Sequence, residues 1–295
     1  MITKDQLKEF ALGLDMDMFG VANISRFDNA PEGKKPEDVL PGCKSVIVIG
    51  ASLLDGIVQA NFRAFEDGRR DLKGLYGTYG YSILPNFALT YACYAIGRYI
   101  EKNSDAIATP CSTGPMTNGN QLSLRHAAVA AGLGTIGWSG LMLTPEYGPR
   151  NRFGAIITTL ELEADPLYSG PDLCKGDKCG ICIKSCPAGA INKFDDESNY
   201  KFSIDGKEMR YGKIDTIKCQ IATLGMRKKH GGREDYLTTD DPTHEEFYEA
   251  SAKMPISPAG LQHVGAHNCG ACLTYCPAGK WNERFVKTGL TKGAF

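Results

Sequence analysis

Eight of the eleven cysteines sit at spacings that could hold iron–sulfur clusters. The first block, C-K-G-D-K-C-G-I-C-I-K-S-C-P, supplies Cys174, Cys179, Cys182 and Cys186. The second, C-G-A-C-L-T-Y-C-P, supplies Cys269, Cys272 and Cys276, and Cys219 stands alone between the blocks. Both blocks end in Cys-x3-Cys-Pro. In two-cluster chains with this tail, the last cysteine of each block ligates the cluster of the other. Counting then gives two four-cysteine sites. One is Cys174, Cys179 and Cys182 with Cys276 crossing over, and the other is Cys219, Cys269 and Cys272 with Cys186 crossing over. Two [4Fe–4S] clusters are one-electron carriers, so the expected chemistry is reduction.

Zinc and disulfides are the competing readings. Zinc ribbons also use paired Cys-x2-Cys, but they do not ask twice for a third cysteine three residues on and then proline. Disulfide scaffolds belong to short secreted chains. The opening Cys174-x4-Cys179 departs from the two-residue spacing of the pattern, although an x4 loop serves in plant-type chains. Cys43, Cys93 and Cys111 read as reduced core thiols.

The chain has 295 residues, 42% hydrophobic and 23% charged, enough for one large domain and a small one. Its net charge of −1 argues against nucleic acid or an anionic membrane as partner. No apolar run approaches the roughly 20 residues that span a bilayer. The N-terminus lacks the layout of an export leader, and free thiols suit a reducing compartment, so the expected location is cytoplasmic.

Thr3 followed by Gln6 forms a capping box for a helix with Leu7, Phe10, Ala11 and Leu14 on one stripe. Residues 18–22 read as a strand. Residues 44–50, K-S-V-I-V-I-G, read as a strand buried on both faces. A Gly- and Tyr-rich loop with Tyr76, Tyr79 and Tyr81 follows. A helix after Pro85 carries Leu89, Ala92, Ile96 and Ile100, and another spans 122–131 and stops at Gly132. Residues 140–144 and 153–160 read as strands. Composition shifts near residue 165 to Cys, Lys, Gly and Asp, which sets the expected boundary between domains 1–165 and 166–295.

G-L-G-T-I-G at 132–137 has the letters of a dinucleotide fingerprint. Here a helix precedes it and a strand follows, the reverse of what that site requires. The better reading is a tight turn that admits a large flat ligand or another backbone.

Two stretches carry a family resemblance: P-E-D-V-L-P-G-C-K-S-V-I-V-I-G at 36–50, and A-G-L-G-T-I-G-W-S-G-L-M-L-T-P-E-Y-G-P-R-N-R at 131–152. Followed by the two cysteine blocks, they resemble corrinoid-dependent reductive dehalogenases and epoxyqueuosine reductases. The resemblance covers most of residues 17–280. It implies an α/β (α+β) fold with a nitroreductase-like three-layer core binding cobalamin, and a C-terminal bacterial-ferredoxin-like domain that feeds electrons to the cobalt. It also implies a small-molecule substrate and an electron donor such as flavodoxin or ferredoxin, for which the basic segment Arg227–His230 is a candidate dock. The catalytic aspartate of epoxyqueuosine reductases would fall around Ser112, where this chain has none.

The resemblance places the proton-donating tyrosine at Tyr81, with Tyr79 as competitor. Arg150 and Arg152 could lower that tyrosine's pKa or hold an anionic group, or could pair with Glu146. The 131–152 segment, including Glu146, is expected to edge a buried pocket, with Gly132, Gly134 and Gly137 against the ligand. Asn118 and Asn120 could line it or simply form a turn. His126 could be an axial ligand or a packed histidine. An electron-transfer protein without its own substrate, and a flavin-dependent reductase on the same core, are the alternative functions.

Overall fold

The Thr3 hydroxyl accepts the Gln6 N–H at 3.2 Å, and the Gln6 side chain accepts the Thr3 N–H at 3.0 Å. This box starts α1 (Lys4–Gly13), which buries Leu7 and Ala11 as the stripe predicts. The computed structural model describes residues 2–112 (apart from Ser82 and the side chain of Tyr81), 121–256 and 268–280. After α1 come β1 (Met18–Asn23), α2 (Pro36–Val39), β2 (Ser45–Ser52), α3 (Asp55–Glu66) and α4 (Leu72–Tyr76). A π-helical turn at Gly77–Tyr81 leads into the long α5 (Ile83–Asn103), then β3 (Ala108–Ser112) and α6 (Leu124–Ala130). The short pair β4 (Thr135–Ile136) and β5 (Met142–Leu143) precedes β6 (Asn151–Thr158). The cysteine-rich part adds α7 (Ile181–Ser185), the hairpin β7 (Tyr200–Ile204) and β8 (Lys207–Tyr211), α8 (Thr216–Leu224), α9 (His244–Ala252) and α10 (Ala271–Thr274).

The main sheet has the order β1-β2-β6-β3, with every pairing antiparallel. Val46, Ile47, Val48 and Ile49 in β2 are all fully buried. Successive side chains point to opposite faces of a strand. Val46 and Val48 accordingly pack with Ala127, Ala128 and Ala155 on the α6 side, and Ile47 and Ile49 pack with Leu7, Leu89 and Ile96 on the α1 and α5 side. The result is helix, sheet and helix in three layers, as expected. Each such fully buried side chain contributes about 1.5–3 kcal/mol.

Three elements differ from the expectation. The tyrosine-rich stretch is helical, because Tyr76 is fully buried beneath α3 and that packing outweighs its glycines. β3 carries Pro110, which hides it in the sequence; proline is tolerated there because β3 is an edge strand. The run Asp55–Glu66 forms α3 and buries Val58, Asn61 and Phe62.

The glycine turn at 132–137 follows α6 and precedes β4, so the dinucleotide reading fails as expected. On the side where a Cβ would stand, its glycines meet the protein's own atoms. A Cβ on Gly132 would stand 2.1 Å from the Pro166 carbonyl oxygen, and one on Gly134 would stand 2.0 Å from that of Leu143. A Cβ on Gly137 would meet the Leu143 side chain at 2.9 Å. Backbone approaches backbone here, the second of the two uses the turn allowed. No described helix is long and apolar enough to cross a membrane.

Candidate redox site

The two cysteine blocks fold alike. In the first, Cys179 ends a 3-10 turn (Gly176–Lys178), Gly180 takes a left-handed φ of 63°, and α7 carries Cys182. In the second, Cys269 precedes Gly270 with φ 61°, and α10 carries Cys272. Each block leaves its helix into Cys-Pro, at Cys186-Pro187 and Cys276-Pro277. The left-handed step suits glycine. At Gly270 it is also a steric need, since a Cβ there would stand 2.2 Å from the Tyr76 phenolic oxygen. α7 and α10 pack against each other, and α8, capped by Asp215, brings Cys219.

The thiols act on one another in two sets. Burial first, then Cys174, Cys276 and Cys179, push the Cys182 thiol up to about 12. Burial also raises Cys276, with Cys174 and Cys179 adding to it and Arg150 opposing. The same four cysteines line one cleft with Gly137 and Trp138. In the second set, burial raises Cys269 to about 11, with Cys186 and Cys219 adding and Lys73 opposing. Burial raises Cys272 strongly, followed by Cys269, Cys219 and Cys186, and then by Cys182 of the first set. Cys219 keeps solvent contact, yet the surrounding protein and then Cys186 raise its thiol.

All eleven cysteines are free thiols. Among the described residues, no three His, Cys, Asp or Glu side chains converge as ligands of a single ion. The donor chemistry fits a cluster. Burial holds the thiols of Cys182, Cys219, Cys269, Cys272 and Cys276 in the neutral form, so that they become thiolates only beside a cationic core, and backbone N–H groups already point at two sulfurs. Trp138 N donates to Cys174 Sγ at 3.4 Å, and Ala190 N donates to Cys186 Sγ at 3.2 Å.

Arg150 has a different place from the one expected. It is 1% exposed, and its Nη1 donates to the Ala278 carbonyl at 2.9 Å. Its Nη2 donates to the carbonyls of Thr274, at 3.4 Å, and Cys276. Burial pulls its pKa down to about 9, opposed by Cys276, Asp55 and Tyr76, so it stays charged at neutral pH. Arg150 therefore clamps the loop that carries Cys276, and the tyrosine near it is Tyr76. A five-donor fork can satisfy several carbonyls at once, which an ammonium cannot. Arg152 is half-buried on β6, and its Nη1 donates to the Asn151 carbonyl at 3.0 Å.

Glu146 is exposed, and its backbone carbonyl accepts the Lys280 N–H at 2.7 Å. The Tyr81 backbone ends the π-helical turn, while its side chain, Asn118 and Asn120 lie outside the described residues. Tyr79 is 45% exposed. His126 is the packed histidine of the two readings. Burial, then Arg125, lowers it to about 4, Ser123 Oγ lies 2.6 Å from its Nδ1, and its ring sits edge-on to Phe202. The Ser112 hydroxyl lies 2.9 Å from that of Thr90. The Arg227–His230 segment is less basic than its letters suggest, because Arg227 pairs with Asp235 and Asp240, and Lys229 with Asp240.

Sequence reasoning missed Lys73 and Asn61. Lys73 is buried, and its Nζ donates to Asn61 Oδ1 at 2.7 Å. Burial lowers its pKa to about 7, opposed by Cys269. The signal available was Lys73 and Tyr76 three residues apart, which share one face once the segment is helical.

No protein-family model matches the chain. An epoxyqueuosine reductase of Gloeobacter violaceus is 27% identical over 90% of this chain and 66% of its own length. A tetrachloroethene reductive dehalogenase of Dehalobacter restrictus is 38% identical over 29% of this chain and 14% of its own. The chain thus spans less than two thirds of the relatives it matches. A solved reductive dehalogenase, described in connection with B12-dependent dehalogenation, superposes with TM-score 0.51 at 20% identity, covering 84% of this chain and 33% of that one. The expectation that nucleic acid is an unlikely partner is corrected by the likeness to epoxyqueuosine reductases. A further neighbour is an epoxyqueuosine reductase crystallised with an epoxyqueuosine-modified tRNA-Tyr stem loop, at 19% identity over 63% of this chain and 52% of that one, with TM-score 0.41. Net charge sums the whole surface and does not fix the character of one patch. The chain is thus similar to epoxyqueuosine reductases and to reductive dehalogenases.

Proposed function

We propose that the chain is a reductase in which two [4Fe–4S] clusters pass electrons to a corrinoid. The observation that supports this reading is that Cys174, Cys179 and Cys182 of the first block line one cleft with Cys276 of the second, while Cys186, Cys219, Cys269 and Cys272 act on one another. Cys174, Cys179, Cys182 and Cys276 would hold one cluster, and Cys186, Cys219, Cys269 and Cys272 the other. α7, which carries Cys182, packs against α10, which carries Cys272, and this suits one-electron transfer between the two sets.

The corrinoid rests on the likeness to the named relatives. The Cβ sides of Gly132, Gly134 and Gly137 are filled by the protein's own atoms, so a corrinoid would lie against other residues of the turn. A bound corrinoid would supply a strongly reducing metal centre. Its substrate is an organic group that accepts electrons and a proton, either free or carried on RNA. In this reading residues 1–165 hold the corrinoid and residues 166–295 the clusters, Tyr81 donates the proton, and Arg152 stays a candidate to hold the anionic form of that tyrosine. Arg150 acts as a positioning residue for the Cys276 loop.

Two measurements test this reading. Anaerobically reconstituted protein incubated with cobalamin or flavin and then desalted should retain the corrinoid spectrum. Retention of flavin alone would turn the reading to a flavin reductase, and retention of neither to an electron-transfer protein. Tyr81→Phe should keep the iron and the corrinoid while losing turnover of an accepted substrate. An unchanged rate would move proton supply to another group.

A further inference from the structure

Lys73 lies on α4 and is 3% exposed. A buried ammonium is stable only when opposed by charge or fully hydrogen-bonded. Its direct contacts are neutral: Asn61 Oδ1 at 2.7 Å and the Phe65 ring, whose centroid is 3.4 Å from Nζ. Among the described residues no carboxylate forms an ion pair with it. The titratable group that acts on it is Cys269.

Its position is fixed from behind. Asn61, itself fully buried, donates through Nδ2 to the Cys269 carbonyl at 3.1 Å and to Thr274 Oγ1 at 2.8 Å. Asn268 Nδ2 donates to the Lys73 carbonyl at 3.5 Å. One amide side chain thus ties the ammonium to the backbone of the second cysteine block, and the aromatic face beneath it excludes water. Such a lysine has a partner only if negative charge resides among the sulfurs next to it.

We propose that Lys73 is the counter-charge of the cluster held by Cys186, Cys219, Cys269 and Cys272, stabilising its reduced form over its oxidised form. The inference rests on the two-cluster reading above. A cluster gains one negative charge when it accepts an electron, and a fixed cation in a low-dielectric setting favours that state. Net charge and hydrogen bonding around the sulfurs are among the levers that set cluster potentials. Lys73 would make this cluster the easier of the two to reduce relative to the same site without it, and so would bias where the first electron rests.

The test is a redox titration of the full, anaerobically reconstituted chain with dithionite, followed by the paramagnetic resonance of the reduced clusters. Wild type is compared with Lys73→Met, Lys73→Gln and Lys73→Arg. Gln keeps a donor for Asn61 without the charge, and Arg keeps the charge. In Met and Gln one of the two clusters should show a reduced-to-oxidised ratio lowered about tenfold at a fixed poise, about 59 mV for one electron. The other cluster should stay put, and Arg should titrate like wild type. Unchanged midpoints in Met or Gln with full iron would overturn the proposal. Loss of iron in Met and Gln but not in Arg supports a need for the charge, whereas loss in all three marks a spacer and overturns it. Too little iron in the wild type would instead strike at the two-cluster reading itself.

Discussion

Cys276→Ala is expected to remove the cluster whose other ligands belong to the first block, not the one beside it in sequence. Iron should fall from about eight to about four per chain. Cys186→Ala should do the same to the other cluster. Pairing the changes separates crossed from uncrossed ligation. Cys276→Ala with Cys179→Ala strikes one cluster twice and should leave about four irons, whereas Cys276→Ala with Cys272→Ala should leave almost none. The reverse pattern would mean that each block closes its own cluster. The expectation follows from the sets themselves, in which Cys276 is grouped with Cys174 and Cys179 and Cys272 with Cys186 and Cys219.

Arg150→Met is expected to be the most damaging change outside the cysteines. Three carbonyls, those of Thr274, Cys276 and Ala278, lose a charged donor. A buried acceptor left without a donor costs about 1–3 kcal/mol, and with one of the three fully buried and two part-buried the protein should lose about 2 kcal/mol. The side chain is 1% exposed, so water cannot simply replace it. Because the carbonyls flank the crossover ligand, the cluster containing Cys276 should be lost before the other, and Arg150→Lys should rescue only in part. Thermal unfolding together with iron analysis checks both parts. Full iron and an unchanged melting temperature in Arg150→Met would remove the clamp from the account.

The sequence was most informative where one physical requirement dominates a segment. A run such as Val46–Ile49 has no polar side to offer solvent, so burial on both faces followed directly, and the Thr3–Gln6 box declared the start of α1. The repeated cysteine blocks are equally local, each a left-handed glycine followed by a short helix. What stayed hidden depends on partners far away in the chain. Arg150 lies beside Arg152 in sequence, and only packing decides that the first turns inward to the Cys276 loop while the second stays half-buried on β6. Gly132 and Gly134 announced a close approach, but not that Pro166 and Leu143 would be what approaches. Lys73 carried only the sign of its three-residue spacing from Tyr76, since a lysine in L-K-G-L-Y reads as solvated until Asn61 and Phe65 close over it.

The central claim is that these thiols hold two iron–sulfur clusters. Iron, acid-labile sulfide and zinc, measured together on anaerobically reconstituted wild-type protein, test it most directly. The account predicts about eight irons and about eight sulfides per chain with negligible zinc. About two zinc ions per chain with little iron or sulfide would contradict it.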